Sequence, residues 1–131
     1  MITQGCDTKI TNSVIVNKSF NFALDIIRTY HFLTCKKREF ILSKQLLRAG
    51  TSIGANVREA FRGESRKDFG HKMNIALKEA NETEYWIELL IASSYLEDEV
   101  ANEMLNKCKE LCKILNSIVR KVRETQEVQD A

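Results

Sequence analysis

Proline is absent from this 131-residue chain, and glycine occurs only five times. A sheet protein needs those residues to turn its strands, so their scarcity points away from hairpins and toward long uninterrupted helices. Long apolar runs are missing as well. None approaches the roughly 18 uncharged residues that cross a bilayer, and the opening MITQGCDTKI has neither a basic stretch nor an apolar one to follow it. The expectation is a soluble, cytoplasmic protein. Histidine is limited to two positions, too few for the usual general acid and base chemistry. No glycine-rich phosphate loop and no Ser-His-Asp pattern occurs. The four cysteines, Cys6, Cys35, Cys108 and Cys112, form no spaced disulfide framework, so reduced thiols are expected.

What remains is abundant Leu, Ile, Ala, Glu, Lys and Arg, a composition of good helix formers. The length suits one domain with one core. Apolar recurrences at alternating spacings of three and four define four helices near residues 13–34, 39–62, 66–93 and 97–123. The first carries Val16, Phe20, Ala23, Ile27 and Tyr30, with Asn12 or Ser13 as its cap. The second carries Leu42, Leu46, Ala49, Ile53, Asn56 and Ala60 and stops at Gly63. The third opens with Ser65 and Asp68 in a capping-box arrangement and continues through Phe69, Met73, Ala76, Ala80, Thr83, Ile87 and Leu90. The fourth carries Met104, Cys108, Leu111, Leu115, Ile118 and Val122. With short connections the simplest packing is all-α: an antiparallel up-down-up-down four-helix bundle.

Polar and glycine residues inside the second helix call for a reason. Asn56, one turn after Ser52, falls on the expected seam and reads as a structural polar group that fixes register. Arg48 and Glu79 lie at matching heights on neighbouring helices and should pair. Gly50 and Gly54 each cost about 1 kcal/mol in a helix interior relative to Ala, so close approach by the third helix or another subunit is expected there. Tyr85 and Trp86 read as packing or oligomer-interface residues.

Metal chemistry finds little support. A ferritin-like di-iron site needs Glu-x-x-His motifs, and the chain has none; Asp68-x-x-His71 is the nearest approximation. His31 with Cys35 and Cys108 with Cys112 have the i, i+4 spacing of zinc ligands, but the two pairs lie about 15 Å apart along the rod. No catalytic residue, metal or cofactor is expected.

The net charge of +2 hides an uneven distribution. Residues 1–80 hold 14 Lys or Arg against 7 Asp or Glu, whereas residues 81–131 hold 6 against 11. In the expected bundle Arg58, Arg62, Arg66, Lys67, Arg120, Lys121 and Arg123 gather at one end, here called the lower end, where they form a candidate surface for RNA or DNA phosphates. Dipole matching accounts for cations at the end of the fourth helix but not for Arg66 and Lys67 at a helix start. Opposed charge can equally draw like subunits together.

The segments QLLRAGTSIGANVREA and SRKDFGHKMNIALKEANETEYWIELL, with the helical layout, resemble the bacterial four-helix bundle proteins of 23S ribosomal RNA intervening sequences. The resemblance is close over residues 40–95 and holds by pattern in the outer helices. It implies a four-helix protomer that assembles into a ring-like homopentamer, with a role that is unknown for most members. A related branch resembles the accessory variability protein of diversity-generating retroelements, a basic pentamer that binds nucleic acid and a partner reverse transcriptase.

Overall fold

The structure is a computed structural model that describes the backbone of residues 6–97 and 99–130, and the side chains of residues 14–97 and 99–125. Four helices follow one another: α1 (Cys6–Cys35), α2 (Leu42–Phe61), α3 (Arg66–Ala92) and α4 (Glu99–Asp130). Each packs on the next and α4 closes on α1, while among the described residues the backbones of the diagonal pairs stay apart, so the four stand at the corners of a square. Neighbours run antiparallel: Arg48 of α2 meets Glu79 and Glu82 of α3, and Glu59 further along α2 meets Lys72 earlier in α3. The fold is the expected all-α bundle.

Both outer helices are longer than their apolar periodicity indicated. α1 is already helical at Cys6, and the side chains of the expected caps Asn12 and Ser13 lie outside the described residues. α4 continues past residue 123 through the polar stretch to Asp130. Periodicity marks where a helix is buried, and both extensions lie beyond Ile15 and Val119, the outermost core residues of these helices among the described side chains.

Connections are tight, and each is built by identifiable hydrogen bonds. α2 begins three residues later than expected because Glu39 is its cap instead of its first turn. The Glu39 carboxylate accepts from the amides of Ile41, Leu42 and Ser43, and the Ser43 hydroxyl donates to the Glu39 carbonyl at 2.8 Å. Burial works against charge on that carboxyl, but the Leu42, Ser43 and Ile41 amides and the Ser43 side chain together hold it below the usual carboxylate range. Arg38, just before it, takes a left-handed backbone with φ 55°, an uncommon state for a residue with a Cβ. At the lower end Ser65 caps α3, its hydroxyl accepting from the Asp68 amide at 3.0 Å. α3 ends in a Schellman arrangement with Ser94 at φ 67°; Tyr95 donates to Leu90 and Ser94 to Ile91.

The core is one cluster that draws on all four helices. α3 buries Met73, Ala76, Ala80, Thr83, Ile87 and Leu90 of its expected row, with Phe69 only half-buried against the core, and α4 buries Met104, Cys108, Leu111 and Leu115 before Val119 takes the place expected of Ile118. α1 differs. Its buried row is Ile15, Ser19, Phe22, Ile26 and Leu33, one register away from the row expected, and Phe20 and Ile27 of that expected row stand 48% and 38% exposed. Both rows repeat at helical spacing, and only packing decides between them.

Asn56 is the second correction. The core position after Ile53 belongs to Val57, fully buried, while Asn56 is half-buried and donates to the Ser52 carbonyl of its own helix at 2.8 Å. Ser52 in turn donates to the Arg48 carbonyl at 2.6 Å. A step of four from Ile53 serves as well as a step of three, and it avoids the cost of burying an amide without a partner on α3. The buried polar side chains are Ser19, Glu39, Ser43 and Thr83 instead.

Candidate functional site

Gly50 is close-packed, but by α1 and not by α3. A Cβ built on it would lie 2.7 Å from Cγ1 of the buried Ile26. At Gly54 the neighbour is again α1, with the Ser19 carbonyl oxygen at 3.4 Å, an ordinary contact distance. Only Gly50 is thus required by its neighbours. The tightest approach on α3 is at Gly70, where a Cβ would meet Val122 of α4 at 2.6 Å, a contact the sequence did not single out.

Arg48 and Glu79 do come together, on the surface. Arg48 Nη1 donates to Glu79 Oε2 at 3.0 Å and Nη2 to Glu82, with the guanidinium half-exposed. Glu82 first, and Glu79 with it, favour the charged guanidinium. A fork that retains one carboxylate when the other is lost makes single changes mild. Glu79→Gln or Glu82→Gln should each alter stability by less than about 0.5 kcal/mol in urea unfolding, and the double change by about 1 kcal/mol.

Trp86 packs against the core, and its ring meets Tyr85 edge-on at a centroid distance of 5.2 Å. Its Nε1 is shut off from solvent without an acceptor among the described residues, whereas Tyr85 is 56% exposed.

Among the described residues no group of three or more His, Cys, Asp or Glu side chains is placed to hold a metal ion. Cys35, Cys108 and Cys112 are free thiols, and Cys6 lies outside the described side chains. Cys108 donates to the Ala80 carbonyl at 3.4 Å, and its neighbour Cys112 together with burial pushes its thiol up, which keeps it inert. No helix among the described residues is long and apolar enough to cross a membrane.

The cations of the lower end do not form one patch. Arg58 leans over the Phe20 ring of α1 at 5.2 Å, and Arg62 follows as the last cap of α2. Arg66 and Lys67 open α3, and Arg120, Lys121 and Arg123 are exposed on α4. Lys67 and Arg123 face each other across α3 and α4, where with His71 and Asn74 they line an open depression of about 420 Å³. None of the seven has an ion-pair partner among the described residues. At the opposite end a cleft of similar size separates α1 from α4, lined by Phe32, Val100 and Met104 with Arg28 and Lys37 at its rim. This cleft was not legible in the sequence, because its walls come from residues about seventy positions apart.

The fold has a solved counterpart. A crystal structure of a protein with unknown function from the S23 ribosomal protein family of Bacteroides thetaiotaomicron VPI-5482 superposes with a TM-score of 0.81 and 51% sequence identity. The match covers 84% of this chain and 98% of that one. No protein of curated function matches the chain. Residues 11–117, which span the four-helix core described above, match the family described as 23S rRNA-intervening sequence protein, and the chain belongs to that family.

Proposed function

We propose that the protein works by contact and not by catalysis, as a cytoplasmic homo-oligomeric scaffold. The observation that carries this reading is the second apolar row of α1. Phe20, Leu24 and Ile27 recur at spacings of four and three and are 48%, 37% and 38% exposed. A lone protomer gains nothing from that row, whereas a second copy packed on it would remove three large side chains from water, each contributing about 1 kcal/mol or more. The resemblance to the pentameric bundle family sets the expected number of copies at five, in a closed ring of repeated interfaces. Light scattering of the wild type should then give a mass several times the 15.1 kDa protomer, and Phe20→Glu/Leu24→Glu should run as a folded monomer. A wild type that is monomeric at high concentration would defeat the reading.

A second reading is favoured by the unpaired cations: an accessory protein that holds RNA or DNA by its phosphates for a partner enzyme such as a reverse transcriptase. Arg58, Arg62, Arg66, Lys67, Arg120, Lys121 and Arg123 are its candidate contacts. Its signature is affinity that falls steeply as salt rises.

A further inference from the structure

Ion pairing is not spread evenly around the bundle. On the side of α4 that faces α1, Lys107 pairs with Asp25 and Glu110 with Lys18, each at 3.0 Å. On the side of α3 that faces α2, Lys72 pairs with Glu59 at 3.7 Å. The outward side of the α3/α4 pair is different. Lys67, His71, Asn74 and Lys78 recur along α3 at steps of four, three and four, and Lys109, Lys113, Asn116, Arg120 and Arg123 recur along α4 at steps of four, three, four and three. Those steps keep each set on one helix face. All are exposed except the half-buried Asn74, neither set contains an acid, and none of their cations has an ion-pair partner among the described residues.

The two rows flank one groove. At its lower end Lys67, His71 and Asn74 share a depression with Arg123 across it. The groove is held narrow there by the contact of Gly70 with Val122. From Lys109 to Arg123 the α4 row extends about 21 Å at 1.5 Å per residue, about six backbone steps at 3.4 Å per strand. We infer that this groove is a lengthwise seat for the phosphodiester backbone of a nucleic acid, with the lysines and arginines neutralising successive phosphates and Asn74, Asn116 and His71 supplying further hydrogen-bonding groups between them. The rows contain no Phe, Tyr or Trp for base stacking, so recognition is of the backbone and indifferent to sequence. Arg58, which leans on α1, lies outside the seat, and so does Arg62.

The inference rests on the nucleic-acid reading above, and its test separates the two. Fluorescence anisotropy with a labelled 20-nucleotide RNA and the corresponding DNA duplex would be measured across a salt series for the full chain, for Lys113→Gln/Arg120→Gln in the groove, and for Arg58→Gln/Arg62→Gln outside it. All four positions are exposed, so folding should be preserved, which circular dichroism checks. The groove variant is expected to lower the slope of log affinity against log salt by about 1.8 on duplex or about 1.4 on single strand, with the outside variant unchanged. Binding that weakens only in the outside variant, or equally in both, overturns the groove and leaves nucleic-acid binding standing. No binding by the wild type at low salt overturns both. Inorganic pyrophosphate serves as the small-phosphate arm: saturable binding of pyrophosphate lost in the groove variant, without nucleic-acid binding, would assign the seat to a free phosphate compound and overturn the backbone assignment.

Discussion

Gly50→Leu should cost the protein about 3 kcal/mol or more, and Ile26→Ala should give part of that back. The position of Gly50 is buried, and the first carbon of any side chain there would sit 2.7, 2.9 and 3.0 Å from Cγ1, Cγ2 and Cδ1 of Ile26. Ile26 is itself fully enclosed, so it has no solvent to move into. Overpacking a closed core costs about 1–3 kcal/mol and sometimes more, and leucine adds three carbons beyond the one that already collides. Ile26→Ala alone leaves a cavity worth about 2–5 kcal/mol. Combined, the added leucine fills the space the isoleucine vacated, and the double variant should be more stable than the sum of the two losses predicts by about 1–3 kcal/mol. Gly50→Ala is the milder probe, since the roughly 1 kcal/mol that alanine gains in a helix opposes the collision. Urea unfolding of the four proteins decides the matter: strict additivity of Gly50→Leu and Ile26→Ala would mean that the two residues do not meet.

That contact also shows which parts of the fold could be read from the sequence. The need for something close at Gly50 was legible, because glycine in a helix interior is costly; its partner was not, because the α1 register was ambiguous. Ile15, Phe22, Ile26 and Leu33 compete with Val16, Phe20, Ala23 and Ile27 for the core, and either row satisfies helical periodicity. α3 carried no such rival row, and its buried face was legible throughout. The same ambiguity misplaced Asn56, whose neighbour Val57 is an equally good continuation from Ile53.

The candidate site divides along similar lines. An excess of cations near the lower end could be counted from sequence, but their grouping could not. Arg58, Lys67 and Arg123 appear equivalent as a list of charges. In three dimensions Arg58 stacks on Phe20 while Lys67 and Arg123 share a depression. Beyond Arg48 and Glu79, pairing could not be foreseen, since the acids that neutralise Lys18, Lys72 and Lys107 belong to neighbouring helices. The cations left over are informative only after those partners are known. Phe20 and Ile27 of the exposed row were expected in a core stripe and Leu24 was not singled out, and only their failure to be buried turns the three into a surface for another copy.

Glu39→Ala should destabilise the bundle by about 2 kcal/mol, and the loss should depend on acidity in a defined direction. The start of α2 has no conventional cap: Ile41 occupies the cap position with no side-chain hydrogen bond. Glu39 supplies one from further upstream, taking three amides at 3.1, 2.9 and 2.7 Å while only 8% exposed. Removing a cap costs about 0.5–2 kcal/mol, and the carboxylate also faces the positive end of the helix dipole, adding about 0.3–1 kcal/mol. Its pKa in the fold lies below the ordinary 4.5, because the desolvation that burial imposes on the carboxylate is outweighed by the hydrogen bonds that stabilise its charged form. A depressed carboxyl stabilises the folded state fully above its unfolded pKa, and that contribution drains away as pH falls through the folded value. The stability gap between wild type and Glu39→Gln should therefore be constant from neutrality down to about pH 5 and narrow below it. Glu39→Gln keeps an acceptor but no charge, so it should retain more of the cap than Glu39→Ala at pH 7. Denaturant midpoints for the three proteins between pH 3 and pH 7 would test this. A gap that widens on acidification would show that Glu39 is held protonated in the fold, and the cap as described here would be wrong.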